Sequence, residues 1–229
     1  MKKSRLLGAV CTCAILLTSP ASNAALITYT DQATFMAALP GIATTLNFES
    51  VTAPFVINSN DTLDGITFNY DFGTGKPVDM QVSSSLETGY ATTSGTNFLG
   101  TTDADIFLDD DDFTMDFAAA SAIGLYIITA ETPNFTLFDN DIQLTAGGGT
   151  AFLDVSALQS TLSDGSLVYF IGLIDTTGSF TTASLTTPNS STGFFYNIDD
   201  ITTSAVPLPG AFWLFGSGLA GLIAVRRRR

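Results

Sequence analysis

Short runs in which apolar and polar residues alternate are the most regular feature of this chain. Phe113, Met115 and Phe117 are separated by the polar residues Thr114 and Asp116. Successive side chains of an extended strand point to opposite faces of a sheet, so one face of this run is apolar and the other is polar. The pattern predicts a strand with one face buried in a core and the other in contact with solvent.

Similar runs, rich in Phe, Ile, Val, Tyr and Thr, recur along the chain between clusters of Gly, Asn, Asp and Ser. Short strands separated by turn residues at such regular intervals are typical of an antiparallel sandwich. We therefore predict an all-β fold, an antiparallel two-sheet sandwich of the jelly-roll type, for residues 25–204. The predicted strands are Thr44–Glu49, Gly65–Tyr70, Phe113–Phe117, Ile123–Thr129, Asn134–Phe138, Thr150–Leu153, Leu167–Leu173, Phe180–Thr186 and Phe194–Thr203.

One short helix is predicted near the start of this domain. Thr30 or Asp31 can cap its first turn, and Pro40-Gly41 ends it because proline cannot continue a helical hydrogen-bond pattern. The apolar residues that share one face of this helix are Phe35, Met36 and Leu39.

The first 24 residues have the pattern of a cleavable secretory signal. Basic residues at positions 2, 3 and 5 precede an apolar stretch, Leu6–Leu17, that is too short to be a stable membrane span. Small residues at positions 22 and 24 predict that signal peptidase cuts between Ala24 and Ala25.

The C-terminal segment, residues 205–229, has three parts. Val206–Pro209 contains two prolines, which prevent a strand or helix from running on from the domain. The eighteen residues Leu208–Val225 carry no charge. As a helix they would be about 27 Å long at ~1.5 Å per residue, close to the roughly 30 Å thickness of a hydrocarbon core. We predict a single transmembrane helix whose Arg226–Arg229 end stays on the cytoplasmic side.

A proline pair, a glycine-containing apolar core and a basic end in this order resemble the PEP-CTERM sorting signal in its VPLPA-type variant. Leu208 stands where the parent motif has Glu, which marks the variant, and Gly210 stands where the variant usually has Ala. Hydropathy alone also fits a plain single-span anchor. The residues that carry the resemblance are Val206, Pro207, Leu208, Pro209, Trp213, Gly216, Gly218, Arg226, Arg227, Arg228 and Arg229.

This resemblance implies a processing partner and a destination. The partner is an exosortase, a membrane-embedded cysteine protease and transpeptidase that would cut near the proline pair. The expected path is export, transient anchoring in the inner membrane of a Gram-negative bacterium, and then the cell surface or an exopolysaccharide matrix.

Composition excludes several classes of chemistry for the domain. The chain has no histidine, and its two cysteines, Cys11 and Cys13, lie in the signal segment. Ser-His-Asp catalysis, His- or Cys-ligated zinc and a disulfide framework are therefore excluded. All 22 acidic residues lie between Asp31 and Asp200, where Lys76 is the one basic residue, so this stretch has a net charge of −21. Such a surface repels nucleic acid and attracts divalent cations.

An irregular strand near residue 200 is the candidate cation site. Tyr196 and Ile198 share one face of the strand, but Ile201 is out of phase with them. Either the strand bulges there, or Asp200 points inward among apolar residues and needs a partner that few basic residues can supply. Calcium would meet that need, and two solvated turn carboxylates are the simpler alternative. The predicted calcium ligands are Glu49, Asp199 and Asp200.

The expected role of the domain is structural or binding rather than catalytic. The segments Gly65–Phe68 and Tyr196–Ile201 loosely resemble outer domains found on proteins with such sorting signals, which implies a carbohydrate-binding-like sandwich. One alternative is a module that binds exopolysaccharide through the surface rings of Tyr70, Tyr90 or Tyr126. A more remote alternative is a glycoside-active enzyme that uses paired carboxylates.

Overall fold

The computed structural model describes residues 26–72, 78–129, 136–188 and 193–206. About half of these residues, 51%, lie in strands, and every strand pairing among them is antiparallel. The all-β prediction is therefore confirmed. The elements are β1 (Leu26–Tyr29), α1 (Gln32–Ala38), β2 (Ala43–Leu46), β3 (Phe55–Ile57), β4 (Thr62–Leu63), β5 (Ile66–Tyr70), β6 (Met80–Ser84), α2 (Ser85–Thr88), β7 (Asn97–Thr101), β8 (Phe107–Leu108), β9 (Phe113–Thr129), β10 (Gln143–Ala146), β11 (Gly149–Phe152), β12 (Ser160–Thr161), β13 (Leu167–Asp175), β14 (Phe180–Thr186) and β15 (Phe195–Ala205).

The strands form two layers that are joined through β9. In the first layer the order is β11-β10-β14-β9-β5-β4. In the second layer β13 pairs with β1, β12 and β9, and the order continues β9-β15-β7-β6-β3, with β2 and β8 also paired to β15. Strands β10 and β11 of the first layer contact β13 of the second without pairing with it, so the layers face one another.

Strand β9 belongs to both layers because it changes partners at a run of small residues. Its first part pairs with β5 and β14, and its second part, from Ala122 on, pairs with β13 and β15. The change falls at the segment Ala118–Ala122, which we call the corner, and the register with β14 shifts there between Phe180 and Thr182. Small side chains and an irregular register let a strand bend between layers without crowding.

The main core fills the space between the layers. Its fully buried members with the largest side chains come from both layers and from the loops between them. Burial of such side chains is worth about 25 cal/mol per Å² of apolar surface and is the dominant favourable contribution to folding. Among these core residues are Phe48, Ile57, Phe68, Met80, Leu99, Phe107, Met115, Ile123, Phe194 and Tyr196.

The single helix predicted from the sequence covers the outer face of the second layer. Asp31 caps α1 by accepting a hydrogen bond from Thr34 N at 2.8 Å. Phe35 is fully buried against Phe170, at a ring-centroid distance of 5.1 Å. The ring lies above Gly124 and Gly172, which are cross-strand partners, and a Cβ atom at Gly172 would lie 2.9 Å from it. The two glycines therefore make the space in which the helix docks.

Four of the strand predictions need correction. Phe113–Phe117 and Ile123–Thr129 are parts of one strand, because the corner interrupts the alternation but not the extended backbone. The strand predicted as Thr44–Glu49 ends at Leu46, since Phe48 adopts a positive φ of 63°. Of the strand predicted as Asn134–Phe138, residues 136–138 are not in a strand and the first two lie outside the described residues.

Candidate functional site

Most residues of the predicted sorting and signal segments lie outside the described part of the chain. These are Ala24, Ala25, Pro207, Leu208, Pro209, Trp213, Gly216, Gly218, Arg226, Arg227, Arg228 and Arg229. Val206 is described, follows the end of β15 directly and is 39% exposed. Neither helix among the described residues has the length and apolar character that crossing a membrane requires.

The sorting segment leaves the domain from a strand that is paired on both sides. Ser204 of β15 is opposite Ala43 of β2 and Ala122 of β9. Ala205 still donates a main-chain hydrogen bond to the Ile42 carbonyl, at 3.1 Å. The last strand of the domain is therefore complete before the proline pair begins.

Both ends of the described domain emerge at the same end of the second layer. At this end, Leu26 of β1 is opposite Asp175 of β13, and the neighbouring residue of β13, Ile174, is opposite Ala122 of β9. Ala122 is in turn opposite Ser204 of β15. Strands β13 and β9 therefore lie between the first strand, β1, and the last, β15. Three strand spacings of about 4.8 Å each separate them by roughly 14 Å.

The irregularity near residue 200 is a bulge. Asp199 is opposite Tyr126 and Thr202 is opposite Gly124, so Asp200 and Ile201 together face a single residue of β9. Asp200 has a φ of 53°, a left-handed conformation that Asp tolerates better than most residues. The bulge returns Ile201 to the core, and it leaves Asp199 rather than Asp200 as the fully buried carboxylate.

Asp199 and Asp200 hold a loop that lies 105 to 107 residues earlier in the chain. Asp199 Oδ2 accepts hydrogen bonds from Thr93 N at 3.0 Å, Thr93 Oγ1 at 2.8 Å and Ser94 N at 2.9 Å. Asp200 Oδ1 accepts one from Ser94 Oγ at 2.8 Å. Hydroxyl and main-chain N–H groups thus supply the partners that a buried carboxylate requires.

Glu49 holds the other end of the same loop. Its Oε1 accepts hydrogen bonds from Thr96 N at 2.7 Å and from Asn97 N at 2.6 Å. A Cβ atom at Gly95 would overlap the Glu49 carboxylate, and Gly95 has a positive φ of 54°, so glycine fits this position on both counts. We call residues 92–97, with the three acidic side chains that hold them, the carboxylate-anchored loop.

The carboxylate-anchored loop sits where β15 changes its neighbour. Leu46 of β2 pairs with Ile201, and Leu99 of β7 pairs with Ile198, so two strands share one edge of β15. The bulge falls between these two pairings. The carboxylate-anchored loop leads directly into β7, and Glu49 follows β2 closely. The three carboxylates therefore hold β2 and β7 at the place where they meet along β15.

Asp199 has an unusual affinity for protons because of this setting. Burial, followed by the charge of Asp200, raises the pKa of the Asp199 carboxyl to about 7, although the hydrogen bonds from Ser94 and Thr93 act in the opposite direction. The carboxyl therefore carries its proton in the folded protein at a pH where an ordinary Asp is ionised.

The structure brings the three predicted calcium ligands to one loop but gives their oxygens other partners. The carboxylate oxygens of Glu49 and Asp199 point at N–H and O–H donors, whereas calcium requires free oxygen ligands. Within the described ranges, no group of three or more Asp, Glu, Cys or His side chains is arranged to hold a metal ion. Calcium binding stays a prediction from the sequence, and the geometry assigns these residues to anchoring the loop.

Hydroxyl groups replace cations throughout the described residues, which include no Lys, Arg or His. Each of nine aspartates accepts a hydrogen bond from a Ser or Thr side chain. They are Asp103, Asp105, Asp112, Asp116, Asp154, Asp164, Asp175, Asp199 and Asp200. The acidic charge of the domain is therefore stabilised by local hydrogen bonds.

The run Asp109–Asp112 forms a turn that is tied to the end of β14. Asp112 Oδ1 accepts a hydrogen bond from Thr187 N at 2.7 Å, and Asp110 N donates one to Thr187 Oγ1 at 2.8 Å. Burial raises the pKa of Asp111 to about 6. The next residues enter β9, beside an open groove of about 370 Å³ lined by hydroxyls, Asp71 and Asp112.

The three tyrosines proposed as sugar contacts are half-buried and differ in what they touch. The single hydroxyl proton of Tyr70 is shared between two acceptors, the Ile57 carbonyl oxygen at 2.6 Å and Asp79 Oδ1 at 2.9 Å. Tyr126 packs edge-on against Phe170 on the helix-covered face. Tyr90 borders a cavity on the outer face of the second layer. Tyr70 also lines an opening, the polar open groove, but its hydroxyl is already hydrogen-bonded, whereas the cavity beside Tyr90 is mostly apolar.

Sequence reasoning missed the partners of the carboxylates and one buried amide. Thr93 and Ser94 belong to a run of Thr, Ser and Gly that indicates only a loop, with no signal for its contact with β15. Asn197 lies inside a strand among apolar neighbours and is 3% exposed, and this position could have been flagged as a buried polar residue.

Comparison with known proteins adds information on the C-terminal segment. Residues 205–229 match the PEP-CTERM protein-sorting motif. No curated protein matches the chain. Among solved structures, the chain is similar to the K2 cleaved adhesin domain of Lys-gingipain, with 14% sequence identity and a TM-score of 0.42, over 71% of this chain and 99% of that one. The chain therefore carries a PEP-CTERM protein-sorting motif, which indicates export and membrane-anchored sorting.

Proposed function

We propose that this chain is an exported protein that an exosortase separates from its membrane segment, leaving the sandwich domain at the cell surface or in an exopolysaccharide matrix. The domain has a non-catalytic binding or structural role there, with polysaccharide as its partner. Cleavage falls at or near Val206–Pro209, after signal peptidase has removed residues 1–24.

One observation carries this proposal. The matched motif begins at residue 205, where β15 ends, and β15 is already paired with both β2 and β9 up to Ser204. Cutting after this point breaks no strand pairing of the domain. Val206, which is 39% exposed, then leads into the two prolines of the motif, a residue type that does not continue a strand or helix.

The composition of the domain supports binding to a neutral partner. Its stretch from Asp31 to Asp200 carries a net charge of −21, which repels anionic polymers. Without histidine, and with both cysteines in the signal segment, the domain lacks the His base and the Cys nucleophile that many hydrolytic enzymes use. Paired carboxylates remain as the basis of the enzyme alternative.

The processing step is tested by expressing the full chain in a host with an exosortase and in the same host with that gene deleted. We expect mass spectrometry to find a product that ends near Val206 in the first host, and the intact chain in the membrane fraction of the second. Replacing Pro207 and Pro209 together by Ala should retain the intact chain at the membrane of the competent host.

The matched control is Pro188→Ala, which changes an exposed proline outside the motif and should leave processing intact. If the exosortase-competent host keeps the intact chain, with Trp213 still attached, the proposal that an exosortase processes this chain is wrong. In that case the segment acts as a plain anchor.

The binding role is tested separately with neutral exopolysaccharide from the producing host, by co-sedimentation with the full chain. We expect co-sedimentation without release of sugar fragments. Release of fragments that stops on a single Asp→Asn change would replace the binding role by the enzyme alternative. Neither binding nor release would leave a purely structural role.

A further inference from the structure

A cavity of about 280 Å³ lies on the outer face of the second layer, at the end of β9 and β13 that is distant from the corner. Its floor is formed by β9 and β15, and its sides by Ser166, which precedes β13, and by the loops that carry Tyr90 and Ile106. The residues that matter for its chemistry are Tyr90, Ile106, Ile128, Ser166, Phe195 and Asn197. Most of this lining is apolar.

The one buried amide of this cavity has an unmet hydrogen bond. Asn197 is 3% exposed, and its Oδ1 atom has no hydrogen-bond partner. Tyr196 and Ile198 on either side belong to the core, so the alternation of β15 places the Asn197 side chain on the cavity face. An unpaired buried acceptor destabilises the folded protein. A ligand that donates a hydrogen bond to Asn197 Oδ1 removes that destabilisation.

The ring of Tyr90 is held in place at the side of the cavity. It packs edge-on against Phe98, with ring centroids 6.2 Å apart and planes at 88°. The next residue, Ala91, donates a main-chain hydrogen bond to Asp164 Oδ2 at 2.9 Å, which ties the loop to the start of β13. Because these contacts fix the loop before any ligand arrives, little ordering entropy is lost on binding.

Charge disfavours anionic ligands at this cavity. Asp164 also accepts a hydrogen bond from Ser166 Oγ at 2.8 Å, so an acidic group lies beside the cavity. The described residues include no Lys or Arg that could pair with an anion. Carboxylated or sulfated ligands therefore meet repulsion without compensation.

We propose that this cavity binds one neutral sugar residue of a polysaccharide, with a sugar hydroxyl donating to Asn197 Oδ1 and the apolar ring face against Tyr90. The cavity is slightly smaller than the usual range of small-molecule sites, roughly 300–1,000 Å³, which suits one ring rather than an oligosaccharide. A sugar offers both an apolar face and a hydroxyl donor. This assignment rests on the proposed polysaccharide-binding role.

Isothermal titration calorimetry of the full chain in detergent tests the assignment. The probes are methyl glucoside and N-acetylglucosamine as neutral rings, and glucuronic acid as an anionic ring. We expect at least one neutral sugar to bind and glucuronic acid to bind at least tenfold more weakly. Asn197→Leu and Tyr90→Leu should each weaken binding of the neutral sugar at least tenfold.

Two controls separate binding from folding. Asn197→Leu replaces an unsatisfied amide by an apolar side chain of similar size, so the Tm should stay equal or rise. Phe152→Ala removes a 47% exposed ring from the first layer and should leave sugar binding unchanged.

The outcomes distinguish this inference from the function on which it rests. If polysaccharide binds and both leucine variants retain that binding, the cavity is not the site, although the proposed function stands. Equal affinity for glucuronic acid overturns the neutral-ligand assignment. If neither sugars nor polysaccharide bind, both the cavity assignment and the polysaccharide-binding role are wrong.

Discussion

The outer faces of the two layers are built differently. In the first layer, β14 alternates between buried residues such as Ala183 and Leu185 and half- or fully exposed Thr and Ser side chains. In the second layer, β13 is buried at every position from Val168 to Asp175. The difference arises because α1 and the loop of Tyr90 cover the second layer, whereas the outer face of the first remains polar. A strand covered on both sides loses the alternation that a strand covered on one side keeps.

This comparison predicts that the second layer is far more sensitive to mutation on its outer face. The largest effect is expected for Phe35→Ala, which removes the ring that α1 buries against Phe170. We expect the free energy of unfolding to fall by about 3–5 kcal/mol. Urea denaturation measures this loss, and Phe152→Ala on the first layer should change it by less than about 0.5 kcal/mol. Equal losses in the two variants would show that the packing of α1 on the second layer does not stabilise the protein.

The pH dependence of stability gives the next largest effect. The pKa of Asp199 is about 7 in the folded protein, above its ordinary value, so the unfolded chain releases this proton at lower pH. Its stabilising contribution is full below pH ~4 and is lost as pH rises to about 7, by up to about 4 kcal/mol at 1.36 kcal/mol per pKa unit.

Asp199→Asn should remove most of the decrease in stability between pH 4 and 7, as measured by thermal unfolding at a series of pH values. A smaller decrease should remain, since burial also raises the pKa of Asp111, to about 6. Asp111→Asn is the matched comparison. A stability that rises with pH over this interval, in the unmodified protein, would contradict the raised pKa of Asp199.

A smaller loss is expected when the docking space of the helix is filled. Gly172→Ala places a Cβ atom 2.9 Å from the rings of Phe35 and Phe170, and Gly172 has no positive φ that would add backbone strain. We expect a destabilisation of about 1–3 kcal/mol from overpacking. A double-mutant cycle with Phe35→Leu should recover part of it, and strict additivity would disprove the contact.

The smallest effect is expected on the polar face of the first layer. Asp116 is exposed and accepts hydrogen bonds from Asn69 at 2.8 Å and Thr182 at 2.7 Å. Because water can replace both donors, Asp116→Ala should cost no more than about 1 kcal/mol. Chemical denaturation of this variant and of Phe35→Ala under the same conditions compares the two losses in the free energy of unfolding. A loss as large as that of Phe35→Ala would show that the two outer faces do not differ as argued.

Alternation in the sequence was a good guide wherever one face of a strand meets solvent. The strand Phe180–Thr186 was predicted with its observed limits, and Asp31 caps α1 as expected. The pattern failed at the corner of β9, where small residues carry no contrast between faces. It also missed β3 and β8, because two or three residues are too few to show a period. The five-residue strands β6 and β7 were missed as well, and β7 is buried at every position and so shows no alternation.

The candidate sites show the same division. The phase slip at Ile201 correctly offered a bulge as one of two possibilities, but only the fold shows that Asp199 is the buried member of the pair. Its partners Thr93 and Ser94 lie more than a hundred positions away, at a distance over which local patterns carry no information.

The sequence by itself determined the all-β character, the capped helix and the PEP-CTERM motif, since each depends on residues that are close together in the chain. Only the tertiary structure decided which hydroxyls hold the acidic side chains, where the cavity beside Asn197 lies, and how both ends of the domain meet at one end of a sheet. These features depend on the pairing of distant strands. Such pairing is fixed by the packing of two layers around one core rather than by any single segment.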